Sequence, residues 1–369
     1  VKLIKVMTDP KVYAVSKGGV LRHITSEAIA SQLYGSNWRT QVDDLPDTYF
    51  TNYTIGVPIT SANDYNPTSM RAASPTIGDD KGLTATASSG SDLTHLPLGD
   101  GKISTSPQRG FIYLCTGMPT GRGGAQADGP WIQGSTWDLT KKAKVNGSVS
   151  WPNAFFSVVV NTLRRQLSGN ALPSHATGIY PISSSDDAYL YDRNPNQIRS
   201  QTLNLSLPSD PTVTSSASCL GGEVGVALSG VAIFNGFDAG NKDAVAHEVQ
   251  DDCSGHPQVS GVYHYHGPSS CVNTASKTET DGSAKLFGYA LDGFGIYENQ
   301  ENGKHLTNAD LDECHGHTHE VTWNGTKKTI YHYHLTNEFP YTVGCFKGTP
   351  VQRQVIPMQG GGMQMGRPF

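Results

Sequence analysis

The sequence predicts a mainly β protein, with an antiparallel β-sandwich-like domain that has long loops and a small N-terminal module made of a hairpin and a helix. Three observations favour this class. Short apolar and β-branched runs are separated by Gly, Pro and Asn along most of the chain. Long helical periodicity is scarce. Asn324-Gly325 joins two such runs and is a strong signal for a two-residue hairpin.

Length and charge exclude several classes of protein. The chain has 369 residues and a formal net charge of -5, which suggests two or three domains with a sizeable core. No apolar run approaches the roughly 20 residues of a membrane-spanning helix. No basic patch suits nucleic acid. We therefore expect neither a membrane span nor a nucleic-acid partner.

Residues 1–59 have the pattern of a small module. The runs VKLIKV, KVYAV and VLRHI are separated by turn-forming residues. The stretch TSEAIASQLYG predicts a short helix that Thr25 or Ser26 caps and Gly35 ends. Similar short modules occur in exported and surface proteins of bacteria, so this resemblance bears on location more than on chemistry.

The rest of the chain divides into three segments by composition. Residues 60–108 are rich in Ser, Thr, Gly, Asp and Pro, which predicts an arm or a linker, because so long a structureless loop is unusual inside a domain. Residues 109–350 are strand-rich and form the expected main domain. Residues 351–369 are a Gly- and Met-rich tail with little means of packing alone.

The six cysteines are widely spaced and form no CxxC motif. They indicate up to three disulfides in an oxidising compartment, and six buried thiols are the alternative. We expect the pairs Cys253–Cys271, Cys314–Cys345 and Cys115–Cys219, although spacing alone does not fix the connectivity. The first two pairs would each close a loop around a histidine-rich motif. No signal peptide lies within these residues, so export to the cell surface or medium is inferred from the cysteines and the composition.

Histidines give the strongest functional signal. The chain has 13 histidines, and ten of them lie between His247 and His334. The tetrapeptide YHYH occurs twice, at residues 263–266 and 331–334, and a C-x-G-H motif precedes each copy, at 253–256 and 314–317. Acidic residues stand before both C-x-G-H motifs. This order of motifs indicates an internal duplication.

The spacing of the histidines favours a metal site. Side chains alternate between the two faces of a strand, so His264 and His266 project together, while the tyrosines of the motif point the other way. The imidazole group suits copper, zinc, nickel and iron. The candidate ligands are His256, His264, His266, His315, His317, His319, His332 and His334. We expect the four YHYH histidines to share one metal-binding region, with His256 and His317 nearest to it.

The tail favours copper as the metal. Met358, Met363 and Met365 would supply thioethers, which prefer Cu(I). We therefore rank copper first and zinc next. Incidental methionines in a disordered tail are the alternative interpretation.

Several ordered motifs resemble the YHYH-domain family of exported bacterial proteins. They are DAVAHEVQDDCSGHPQVSGVYHYHG, LFGYALDGFGIY, DLDECHGHTHEVTW and IYHYHLTNEFPYTVGCFKG, and the resemblance covers about residues 170–350. It implies a β-rich extracellular domain with a metal site. It also draws attention to Asp292 and to His247-Glu248, with His247 as a further ligand and His175 as a weaker candidate. Asp292 would either orient a ligand histidine or stabilise its own turn.

Three functions fit these observations. The first is an extracellular metal-binding protein, copper preferred. The second is a structural subunit of a filament or surface layer, in which metal and disulfides act as staples and the chain associates with itself. The third is a metal-dependent enzyme, although no G-x-S-x-G, HExxH or P-loop motif is present. We assign no catalytic or organic-cofactor residues and expect a non-enzymatic protein.

Overall fold

The computed structural model describes residues 3–6, 9–45, 53–73, 92–115 and 124–351. The chain forms two compact units, Val1–Ser89 and Gly90–Phe369. The methionine-rich end of the tail lies outside the described residues, as do residues 74–91 of the expected arm. The described parts of that arm belong to both units, since Tyr65 lies in the core of the first and Leu96 in the core of the second.

The first unit is a five-stranded sheet covered by helices, which confirms the hairpin-and-helix module. Its strands are β1 (Leu3–Val6), β2 (Asp9–Ser16), β3 (Val20–His23), β4 (Val42–Leu45) and β5 (Thr54–Ile55). Its helices are α1 (Glu27–Tyr34), α2 (Pro67–Ala73) and the 3-10 turns Trp38–Gln41 and Ala62–Asp64. The sheet order is β4-β1-β2-β3-β5. Ser26 caps α1 by accepting a hydrogen bond from the backbone N–H of Ile29, and Gly35 ends the helix with a φ of 88°.

The second unit contains the remaining strands. The early ones are β6 (Leu96–Pro97), β7 (Ile103–Ser104), β8 (Ile112–Tyr113), β9 (Ile132–Gln133), β10 (Thr136–Trp137), β11 (Phe156–Val160), β12 (Arg164–Gly169) and β13 (Leu203–Pro208). The later ones are β14 (Glu223–Ala227), β15 (Ala232–Phe234), β16 (Gly255–Pro257), β17 (Tyr263–Tyr265), β18 (Leu286–Ala290), β19 (Gly295–Tyr297), β20 (Gln300–Glu301), β21 (Lys304–His305), β22 (Gly316–Trp323) and β23 (Thr326–His334). The helices are α3 (Ala244–His247) and the 3-10 turns Leu139–Lys141, Asp187–Leu190 and Asn308–Asp310.

An eight-stranded sheet forms the centre of the second unit, in the order β16-β17-β15-β14-β18-β19-β23-β22. The mainly β class is confirmed. The sheet is not wholly antiparallel, however, because β15 pairs in parallel with β17, and β19 pairs in parallel with β23. The antiparallel sheet β11-β12-β13 shares the same apolar core. The guanidinium of Arg165 on β12 lies 4.3 Å from the ring centre of Tyr289 and 4.2 Å from that of Trp323.

The eight-stranded sheet consists of two four-stranded halves of the same construction. The order β16-β17-β15-β14 in one half repeats as β22-β23-β19-β18 in the other, and β14 and β18 meet at the centre as an antiparallel pair. The central hairpins carry related sequences, GVALSGVAIFN at residues 225–235 and GYALDGFGIYE at residues 288–298. The duplication thus includes a hairpin before each C-x-G-H motif, which the motif search from sequence alone missed.

Tight turns and disulfides complete the frame. Asn324 and Gly325 both have positive φ, 51° and 80°, and connect β22 to β23 as the Asn-Gly signal predicted. The structure contains the three disulfides that we expected from the sequence, Cys115–Cys219, Cys253–Cys271 and Cys314–Cys345. Within the described part of the chain, every helix is too short or too polar to span a lipid bilayer.

Candidate metal centres

Two groups of histidines, all of them buried except the partly exposed His317, lie on equivalent strands of the two halves. We call the first site A, formed by Glu248, His256, His264 and His266. We call the second site B, formed by Glu301, His317, His332 and His334. Within each group, the histidine nitrogens come from one hairpin, β16-β17 in site A and β22-β23 in site B. The three histidines of site A, and all four residues of site B, each offer ligand atoms that lie within 4.8 Å of one another.

In site A the ligand atoms converge on one point. Nε2 of His264 lies 3.0 Å from Nε2 of His266. A carboxylate oxygen of Glu248 lies 3.5 Å from Nε2 of His256 and 3.6 Å from Nε2 of His266. The three histidines are each only 3% exposed. Neither ring nitrogen of His256 has a hydrogen-bond partner among the described residues, which is costly for a buried polar group unless a ligand binds there.

Site B repeats this arrangement. Nε2 of His334 lies 3.1 Å from Nε2 of His317, and a carboxylate oxygen of Glu301 lies 3.7 Å from Nε2 of His317. The rings of His317, His332 and His334 are each 4.8 Å apart, centre to centre. Nε2 of His332 has no hydrogen-bond partner among the described residues. His317 lies on the outer strand of the sheet, and its side chain is 26% exposed.

Backbone carbonyl groups fix the tautomers of the four YHYH histidines. A carbonyl oxygen only accepts, so the ring nitrogen beside it must carry the proton. Nδ1 of His264 donates to the carbonyl of Val262 (3.2 Å), and Nδ1 of His332 donates to that of Ile330 (2.9 Å).

The other two histidines of these motifs follow the same rule. Nδ1 of His266 donates to the carbonyl of Asn235 (2.5 Å), and Nδ1 of His334 donates to that of Glu298 (2.8 Å). Each Nε2 therefore presents a lone pair to its site, which is the arrangement found in metal-ligating histidines.

Two lone pairs face each other at 3.0 Å in site A, with no proton left to bridge them. Burial also lowers the pKa of His264 well below its usual value and that of His266 to about 4. In site B, burial lowers the pKa of His332 to about 3 and that of His334 well below its usual value. Neutral imidazoles so close together repel unless a cation lies between them. Two ligands at 2.0–2.1 Å from one metal ion would lie about 3 Å apart, so the geometry fits a bound transition metal.

The tyrosines of the motif hold each hairpin from the opposite face. The hydroxyl of Tyr263 donates to Asp251 (2.9 Å), and that of Tyr331 donates to Asp312 (3.0 Å). The same aspartates accept backbone N–H groups from the C-x-G-H turns, including those of Cys253. A Cβ on the glycine of either turn would overlap the tyrosine ring or hydroxyl. The duplicated glycine therefore allows the tyrosine to reach its aspartate.

The expectation of one shared region is wrong. The strands that carry the two YHYH motifs, β17 and β23, are separated by four other strands. At about 4.8 Å between neighbours, they lie roughly 24 Å apart. The physical reason for the separation is strand pairing. Each YHYH strand pairs in parallel with a strand of its own half, β17 with β15 and β23 with β19, so the two copies lie on opposite sides of the β14-β18 pair.

The structure places the other candidates outside the two sites. Nε2 of His315 lies 3.1 Å from the hydroxyl of Thr336. His319 is at the margin of site B, with Nδ1 3.3 Å from Glu301. His247 lies between Asp128 (2.9 Å) and Asp100 (3.0 Å).

Two further candidates contact tyrosines on the opposite face. Asp292 accepts from the hydroxyl of Tyr333 (2.5 Å) and from the backbone N–H groups of Gly348 and Phe294. It therefore positions a tyrosine and its own turn, and not a ligand histidine. Nε2 of His175 contacts the hydroxyl of Tyr265. His175 also lies beside Cys253 and Cys271, but these two form a disulfide and offer no thiolate.

Sequence reasoning noted Glu248 beside His247 but assigned neither carboxylate as a ligand. Glu248 follows His247 and precedes the first C-x-G-H motif, whereas Glu301 lies on β20 and precedes the second by a different interval. The acids therefore have no common position in the repeat, and no spacing signal could have paired them. Burial raises the pKa of Glu248 well above its usual value, which a bound cation would oppose.

These features define a disulfide-bonded β protein with two candidate metal centres built by duplication. Residues 204–308 match the family model described as YHYH protein, which confirms the resemblance over that stretch. The match includes all of site A and Glu301 and ends before the second C-x-G-H motif. No curated protein and no solved structure matches this chain.

Proposed function

We propose that this chain is an extracellular metal-binding protein that holds one transition-metal ion in each half of its central sheet, copper preferred and zinc next. One observation carries the proposal. In both halves, the Nε2 atoms of two histidines approach to 3.0 and 3.1 Å beside a carboxylate, and the tautomers of His264, His266 and His334 leave their Nε2 atoms unprotonated. The protein would sequester, store or deliver the ion.

The ligand chemistry supports a late first-row metal. Three imidazoles and one carboxylate form a nitrogen-dominated set, and the affinity of such sets rises along the series to Cu(II) before falling at Zn(II). All six cysteines are in disulfides, so no thiolate competes for the ion. The three disulfides also favour an oxidising compartment outside the cytoplasm.

Metal content after equilibration with copper and zinc tests this function. We expect two ions per chain, measured by elemental mass spectrometry after removal of loosely bound metal, and copper in excess when both metals are offered equally. His264→Ala and His332→Ala should each retain one ion. His95→Ala, at an exposed side chain, is the matched control and should retain two. A wild-type chain that binds no metal would contradict the proposal.

Self-association into a surface assembly is a second candidate function. The strand β11 is an outer strand of its sheet, and Val159 and Leu163 in its hairpin are 62% and 77% exposed. Exposed apolar side chains on an open sheet edge favour pairing with another chain. Light scattering of the purified protein tests this, with Leu163→Lys expected to reduce any assembly, and a monomer at all concentrations would exclude it.

A further inference from the structure

Site A lies at the wall of a large cavity. The cavity has a volume of about 620 Å³, and its lining includes Glu248, His256, His264 and His266. Since these four residues line it, the cavity is the space through which a small molecule would reach an ion in this site. A volume of this size is typical of pockets for small molecules.

The charge of the cavity favours a cationic ligand. Two further carboxylates, Asp192 and Asp238, line it and are 4% and 9% exposed. Arg193 lines it too and is an exposed residue, where water screens its charge. The carboxylate of Glu248 would balance part of the charge of an ion in site A. The buried Lys142 acts electrostatically on Glu248 and Asp192 as well, and the charge that remains on Asp192, together with Asp238, attracts a positive group.

The lining also offers a flat apolar surface beside the ligand atoms. The ring of Phe234 lies 4.1 Å from that of His264, centre to centre, and Phe237 lines the cavity as well. A planar ring that coordinates the ion would have such aromatic neighbours. The cavity therefore combines a metal position, apolar contacts and carboxylates.

We propose that an ion in site A keeps a coordination position open to this cavity and binds there a small ligand with a nitrogen donor at one end and a positive charge at the other. This inference rests on the proposed metal binding and goes beyond it, because it makes site A a ligand-binding centre and not only a store. The ion supplies the bond to the nitrogen donor. Asp192 and Asp238 supply the attraction for the charge.

Three N-alkylimidazole probes of similar size and different charge test this ligand class. They are 1-(3-aminopropyl)imidazole, which is a cation at neutral pH, 1-propylimidazole, which is neutral, and imidazole-1-propionate, which is an anion. The full-length chain carrying His332→Gln is loaded with Cu(II) at site A only, and each probe is titrated while the visible absorption and electron spin resonance spectra are recorded. His317→Gln, at a partly exposed ligand, provides a second variant with the same purpose.

We expect one probe molecule per copper and a shift of the copper spectra. The cation should bind about tenfold more tightly than the anion, with the neutral probe between them. Asp238→Asn should reduce that ratio to less than about threefold, because its amide oxygen can still accept from the N–H groups of Gly240 and Lys242 while the charge is lost. The reverse variant, His264→Gln loaded with Cu(II) at site B only, should bind the three probes without a preference for the cation.

The outcomes separate this inference from the proposed function. If the His332→Gln variant bound copper but its spectra did not respond to the probes, the inference would be wrong and the proposed metal binding would still stand. If the anion bound most tightly, or if the His264→Gln variant also preferred the cation, the proposal of a cationic ligand for site A would be wrong. Failure of the wild-type chain to bind copper would instead overturn the proposed function and the inference with it.

Discussion

At the scale of single residues, the histidines and the tyrosines of the YHYH motif project from opposite faces of a strand and make different contacts. The histidines offer Nε2 atoms to the candidate sites, while three of the four tyrosines donate to carboxylates on the opposite face. The hydroxyl of Tyr331 and the backbone N–H of Cys314 share one oxygen of Asp312. The glycine of C-x-G-H leaves the space for this contact. The preceding aspartate, the C-x-G-H turn and the YHYH strand therefore act as one structural unit.

A substitution at that glycine should damage one metal centre. In Gly316→Ala, the added Cβ would overlap the hydroxyl of Tyr331 and the carbonyl oxygen of His332. We expect a loss of about 1–3 kcal/mol in the free energy of unfolding and weaker metal binding at site B, with site A unchanged. Chemical denaturation and metal titration measure the two effects.

Gly221→Ala is the matched control, because a Cβ at this position meets no atom within 4 Å. We expect it to leave both the free energy of unfolding and the metal content unchanged. Equal stability losses in the two variants would show that the close approach of Tyr331 is unimportant.

At the scale of elements, each candidate metal centre lies on a hairpin whose flanking segments are joined by one disulfide. Cys253–Cys271 ties the segment before β16 to the one after β17, and Cys314–Cys345 does the same for β22 and β23. The two halves thus hold their ligands by equivalent covalent links. This equivalence predicts that each link supports its own site and not the other.

Removing one disulfide at a time should separate the two centres. We expect the pair of changes Cys314→Ser and Cys345→Ser to lower the free energy of unfolding by about 2–4 kcal/mol and to weaken copper binding at site B. The changes Cys253→Ser and Cys271→Ser should weaken site A instead. Metal titrations of each variant, with His264→Ala and His332→Ala to identify the remaining site, distinguish these results from a uniform loss at both sites.

At the scale of the whole molecule, burial of neutral histidines links stability to pH. His332 has a pKa of about 3 in the folded chain, against about 6.5 in an unfolded one. Below pH 6.5 the unfolded chain binds a proton at this residue and the folded chain does not. The contribution of His332 therefore destabilises the metal-free fold progressively as the pH falls from about 6.5 to about 3.

Comparison with a variant isolates this contribution from the other titrating groups. Relative to metal-free wild type, His332→Gln should gain stability by about 1.4 kcal/mol for each pH unit between 6 and 4. Burial raises the pKa of Asp243 to about 6, so this residue stabilises the folded chain as the pH falls. Its contribution is the same in both proteins and cancels in the difference between them. Denaturation at several pH values measures the difference. A difference independent of pH would contradict the buried, neutral state of His332.

The β class, the duplicated motif and the histidines of the candidate sites follow from the sequence, because they depend on residue type and on spacing along one strand. It indicated that His264 and His266 share a face, since alternation along a strand is local. It also predicted the Asn324-Gly325 turn, which depends on backbone preferences of two neighbouring residues.

The fold was needed to show that the histidines form two separate candidate sites and that Glu248 and Glu301 lie beside them. That outcome depends on the order of strands in the sheet, where β14 and β18 pair at the centre and keep the two YHYH strands apart. Glu248 and Glu301 reach their sites from elements with no common position in the repeat. Pairing between strands that are distant in sequence depends on the free energy of the whole core, so a local pattern of residues does not predict it.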